Sequence, residues 1–174
     1  MEKIKEFMSS PKKTAILGLT GSILMLISIF LFSHYSVIYN IFYVYFIGLI
    51  IYFATVLTRM FKQKGNIKFA NYTLILTYIT SIVASIVLGI AEGEFFTLDD
   101  LLLIIMTLYF CNILLRKIKL INNKTFAIIV IGLSVYQLIR CSIGIDVSYF
   151  IKHLAHITIV PYFYNYYELL KGGK

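Results

Sequence analysis

Apolar residues run almost unbroken through six stretches, at 14–33, 36–58, 69–91, 97–115, 124–145 and 147–169, and polar residues are confined to the gaps between them. About 20 predominantly apolar residues are needed to cross roughly 30 Å of hydrocarbon, so each stretch predicts one spanning helix. The gaps are short, and consecutive stretches pair into three hairpins. The expected fold is an all-α integral membrane protein, a bundle of six transmembrane helices forming a single domain over 1–174, with no extramembrane domain.

Residues at the ends of the runs support this segmentation. Ser10 followed by Pro11 suits an N-cap and first helical position ahead of the first run. Thr97 and Asp100 have the spacing of a capping box, and Asp99 and Asp100 lie at a helix amino terminus, where the helix dipole favours carboxylates. Asp146 is placed to cap the sixth run in the same way.

The charges fix an orientation. Lys3, Lys5, Lys12 and Lys13 precede the first run; Arg59, Lys62, Lys64 and Lys68 fill the second gap; Arg116, Lys117, Lys119 and Lys124 the fourth; Lys171 and Lys174 the tail. The intervening gaps carry Glu92, Glu94, Asp99 and Asp100 after the third run and Asp146 after the fifth. By the positive-inside rule both termini are cytoplasmic. The net charge of +8 is therefore a topology signal, and it does not imply a nucleic-acid partner.

Composition agrees with this reading. A chain that is 60% hydrophobic and 14% charged, with mean hydropathy +0.87, is not a soluble globular domain. The first run has the length of a span and no small-residue cleavage site behind it, so it is expected to be retained. Cys111 and Cys141 are placed near opposite leaflets, where no disulfide joins them. The Lys-, Ile- and Asn-rich, tryptophan-free sequence points to an AT-rich bacterial genome and to the plasma membrane.

Helices in lipid associate through close approach at small residues and through interhelical hydrogen bonds. Gly18, Gly21 and Ser22 in the first run, and Ser81, Ser85 and Gly89 in the third, predict such contact faces. Packing within the bundle is the first expectation, and contact with a membrane-protein partner or a second copy is the alternative. Tyr52-Phe53, Tyr109-Phe110 and Tyr162-Phe163 recur at intervals near 55 residues in the even-numbered runs, which fits either a threefold repeat or aromatic rings seated at the inner interface.

Ionisable side chains at membrane depth need a partner or water, and they mark candidate function. Arg140 and Lys152 are the only basic residues outside the cytoplasmic gaps. Gln137 lies one turn deeper than Arg140; Lys152, His153 and His156 share a face of the sixth run, and His34 also falls on the outer side. With Asp100 and Asp146 nearby, this set predicts an outward-facing site between the fifth and sixth runs for a small anionic or polar solute. Pro161 is expected to kink or unwind the sixth run and shape a cavity there. The bland counterpart is that Arg140 and Lys152 snorkel to lipid phosphates.

No catalytic residue, metal site or cofactor is predicted, because His153-Leu154-Ala155-His156 lacks the HExxH spacing and no third ligand is near. Cys111, Arg140 and His153 or His156 occur in the order used by exosortase-like transpeptidases, but Cys111 is placed near the inner side, away from Arg140. In its six spans, cytoplasmic termini and outward site the chain is similar in architecture to the substrate-binding subunits of energy-coupling-factor vitamin transporters, an analogy that implies solute binding without establishing it. The competing classes are an accessory, immunity or pore-forming subunit acting through helix contacts and, last, a membrane-embedded enzyme.

Overall fold

A computed structural model describes residues 2–32, 40–93, 97–115, 123–144 and 147–172. Among these all regular structure is helical: α1 Glu2–Ser9, α2 Pro11–Phe32, α3 Asn40–Lys62, α4 Ile67–Glu92, α5 Leu98–Leu115, α6 Asn123–Gly144 and α7 Val147–Gly172. Six of them follow the six apolar runs. The eight-residue α1 was not anticipated, because a short charged segment carries no long apolar run. The expectations for His34, Glu94, Arg116, Lys117, Lys119, Asp146 and Lys174 lie outside the described residues, as do the side chains of Glu92, Asp99, Phe110, Cys141, Lys152 and Lys171.

The helix ends are set by local chemistry. Ser10 accepts hydrogen bonds through its Oγ from the Lys13 amide at 3.4 Å and through its carbonyl from the Thr14 amide at 3.0 Å, which opens α2. Asn66 caps α4 by accepting from the Phe69 amide at 3.1 Å. Gly93, in the left-handed region at φ 73°, closes it by donating to the carbonyls of Gly89 and Ile90. Thr97 and Asp100 form a reciprocal box: the Thr97 amide and hydroxyl donate to Asp100 Oδ2 at 2.7 and 2.8 Å, and the Asp100 amide donates to Thr97 Oγ1 at 3.3 Å.

The six long helices form a ring in chain order. Each packs on the one before and the one after, and α7 closes the ring against α2. Lys12, in the first turn of α2, lies 3.6 Å from the centre of the Phe61 ring near the end of α3, and Asn165 near the end of α7 donates to the Met8 carbonyl and to Thr14. One end of the ring thus gathers the starts of α2 and α4 and the ends of α3 and α7.

Close approach around the ring depends on glycine. A β-carbon at Gly18 would collide with the Phe53 ring, one at Gly21 with the Thr158 hydroxyl, and one at Gly48 with Thr77. Gly18, Ser22 and Ser81 are buried, while Ser85 and Gly89 are half-buried. The hydroxyls of Thr73, Thr77, Thr80 and Ser81 each donate to the carbonyl one turn back, so these four groups are satisfied within α4.

Large aromatic rings from α3, α5, α6 and α7 fill the inside of the bundle. Tyr52 stacks on Phe163 at 5.9 Å, and Phe53 meets Tyr162 edge-on at 5.4 Å, joining α3 to α7 across the bundle. Tyr109 stacks on Phe126 at 3.4 Å between α5 and α6. All six are buried, so Tyr52, Phe53, Tyr109, Tyr162 and Phe163 of the recurrent Tyr-Phe pairs serve the core, and the side chain of Phe110 lies outside the described residues.

Among the described residues two helices carry segments long and apolar enough to cross a membrane, Tyr43–Lys62 in α3 and Ile67–Ala91 in α4. Less than half of either segment is buried within the protein. Ile47, Ile51, Leu76, Val83 and Ile86 point outward from them.

Candidate functional site

Three buried polar side chains and a methionine meet inside the ring. The Tyr45 hydroxyl on α3 lies 3.2 Å from His156 Nε2 on α7 and 3.2 Å from the Tyr78 hydroxyl on α4. The Tyr78 hydroxyl in turn lies 3.8 Å from Met106 Sδ on α5. None of the four residues is more than 2% exposed. A polar chain of four side chains therefore crosses the bundle, linking helices that are far apart in sequence.

Helical register delivers these groups. His156 lies nine residues into α7 and Met106 eight residues into α5, each about 12–14 Å from its helix start at 1.5 Å per residue. Tyr45 is held by an edge-on contact with Tyr78, with ring centres 5.2 Å apart, and by Phe46 at 4.8 Å. These contacts fix the phenol ring, so its hydroxyl has a single direction in which to reach His156.

The chain admits two proton orders. A neutral imidazole carries one N–H, and each hydroxyl has one proton to donate. If His156 Nε2 holds the proton, donation runs from His156 to Tyr45 to Tyr78 to the thioether, a weak acceptor. If the proton is on Nδ1, Nε2 accepts and the order reverses, from Tyr78 to Tyr45 to His156. Only the first order satisfies all three contacts, since in the second the Tyr78 proton goes to Tyr45 and the thioether of Met106, which cannot donate, is left without one.

His153 is fully buried one turn earlier on α7, its ring centre 5.9 Å from that of His156. On α6, which packs along α7, Gln137 and Ser134 are buried one turn apart. Four of the sequence candidates thus fall into different settings: His153, His156 and Gln137 face into the bundle, and Arg140 lies exposed on its surface. Asp100 is buried, with one carboxylate oxygen engaged by Thr97 in the cap.

The helix is continuous from Val147 to Gly172 through the buried Pro161, so α7 is not unwound there. The ring still removes the donor for the Ile157 carbonyl, but neighbouring Val160, Tyr162 and Phe163 pack tightly enough to hold the helical course.

Tyr45, Tyr78 and Met106 were missed by sequence reasoning. With 14 tyrosines in the chain, no spacing marks these two out. The available signal was their pattern: each sits in a run of aliphatic residues away from the charged gaps, where a phenol hydroxyl needs a partner. Among the described residues no group of three His, Cys, Asp or Glu side chains could hold a metal ion. Comparison with protein-family models, with curated proteins and with solved structures gives no match.

Proposed function

We propose that the chain is a six-span membrane protein with both termini cytoplasmic, and that it binds a small anionic or polar solute inside the bundle, at the level of His156. The spanning part of this reading is supported by lengths of 18 to 26 residues in α2 to α7. It is supported too by apolar side chains turned outward on every one of them, such as Ile27, Ile51, Val83, Leu108, Ile139 and Leu154. Large exposed apolar area all around a bundle matches a lipid surrounding.

The observation that carries the solute reading is the Tyr78–Tyr45–His156 chain. Interhelical hydrogen bonds help to hold helices together in lipid, and this chain adds to that packing an imidazole, an ionisable group, in contact with two phenols. Buried ionisable groups at such depth cost free energy and are retained where they act on a solute or a proton. His153 and Gln137 add acceptors and donors from α6 and α7. Arg140, on the outer surface of α6, contributes at most to attraction of an anion or of lipid phosphate. An accessory role through the small-residue faces has less to work with, since Gly18, Ser22 and Ser81 are turned into the bundle.

The test is thermal unfolding of the detergent-purified protein against a panel of carboxylates, phosphates, amino acids, vitamins and inorganic ions. A solute that binds only the folded state raises the unfolding temperature, with the logarithm of its concentration once that exceeds Kd. At least one member is expected to do so in wild type and to lose the effect in His156→Leu. A panel without effect, or stabilisation retained in that variant, removes the reading.

A further inference from the structure

The segment ahead of the first long helix has a chemistry of its own. Ile4, Phe7 and Met8 share one face of α1 at i, i+3 and i+4, and they are 69%, 38% and 40% exposed. No residue of α1 is buried. At 100° per residue, Lys3 and Lys5 fall on the two borders of that apolar face, and Glu2, Glu6 and Ser9 lie opposite it. An isolated eight-residue helix is unstable in water, so this one needs a surface for its apolar side.

We infer that α1 is an interfacial anchor that docks on anionic phospholipid headgroups at the cytoplasmic face of the membrane, an inference that rests on the membrane-spanning half of the reading above. The charge pattern selects this occupant. Lysines at the edge of an apolar face bury their stems and reach up to phosphates, while acids at the centre of the polar face stay in water. A groove on a protein would not impose both borders at once. The place of α1 is also fixed: Asn165 on α7 donates to the Met8 carbonyl and contacts Thr14 at 3.5 Å, which ties the end of α1 to the bundle. Lys12 follows in the first turn of α2, and the outward Phe61, beneath the Lys12 ammonium, extends the same mixed apolar and basic surface, while Lys13 pairs with Glu6 at 3.5 Å. Anionic lipid attracts such basic segments near the surface.

The chain has no tryptophan, so Phe7→Trp introduces a single indole emitter on the apolar face of α1. The variant is reconstituted in nanodiscs of phosphatidylcholine with and without phosphatidylglycerol, and its emission and quenching by brominated acyl chains are recorded. Expected is a shift to shorter wavelength and strong quenching with phosphatidylglycerol, both lost when Lys3, Lys5, Lys12 and Lys13 are changed to Gln. Equal emission in the two lipids, or an indole docked against protein and insensitive to brominated lipid, overturns the inference. Ile4→Trp repeats the measurement should the first variant misfold. Retention of the protein in alkaline-washed vesicles is scored in parallel: retention with an unresponsive indole rejects the α1 anchor alone, whereas release from the vesicles rejects the spanning reading on which it rests.

Discussion

Tyr45 and His156 stand 111 residues apart in the chain, and their side chains meet at 3.2 Å in the middle of the bundle. The contact joins α3 to α7 across the ring, and Tyr78 extends it to α4. Because the participants are buried, removing one member leaves the other to be desolvated without its partner, which costs more than the net worth of the bond. In a double-mutant cycle, Tyr45→Phe and His156→Leu are expected to show a coupling of about 0.5–2 kcal/mol in unfolding free energy, within the range found for buried polar pairs in lipid. Additive effects would mean that the two side chains do not interact.

Close helix approach gives a second expectation. Gly48→Ala places a methyl group against Thr77 at the α3–α4 contact, and overpacking of this kind costs about 1–3 kcal/mol. Gly132 on α6 has open space where a β-carbon would stand. Gly132→Ala is therefore expected to be neutral or to stabilise by up to about 1 kcal/mol through helix propensity. Thermal melts of the two variants in one detergent compare them directly, and similar melting temperatures would contradict the packing.

The α5 cap gives a third. Asp100→Ala removes the acceptor for the Thr97 amide and hydroxyl, and an unfolding cost of about 1 kcal/mol is expected from loss of a cap. Thr97→Ala acts on the same unit, so the double variant is expected to lose little more than either single one. Solute stabilisation measured on Asp100→Ala should survive at saturating solute, since the carboxylate serves the helix end.

Surface position decides the fourth. Arg140→Gln is expected to change stability by no more than about 0.5 kcal/mol, as is usual for exposed residues, and to leave solute stabilisation in place. Loss of that stabilisation on changing Arg140, with His156→Leu unaffected, would move the site from the middle of the ring to its surface.

Much of the fold was legible because span length is a crude quantity. Runs such as 69–91 and 147–169 needed only a count of apolar residues to foretell α4 and α7, and Ser10, Thr97 and Asp100 marked helix starts by side-chain chemistry that acts within one turn. The facing of each helix was not legible in the same way. A helix apolar all round has no moment to orient it, so Arg140 and Gln137, three residues apart on α6, could be placed together by sequence while the fold turns one outward and buries the other. Tyr45, Tyr78 and Gly48 gain their meaning only from partners on other helices. α1 escaped notice for the opposite reason, since its apolar face is three residues wide and its charges read as a topology signal.

The central claim is that a solute is held at His156 within the bundle, and the most direct measurement is calorimetric titration of a stabilising solute into wild type, His156→Leu and Arg140→Gln. Affinity at least tenfold weaker in His156→Leu, with Arg140→Gln close to wild type, is the result predicted, and the tenfold loss corresponds to about 1.4 kcal/mol. Equal affinity in wild type and His156→Leu would contradict it.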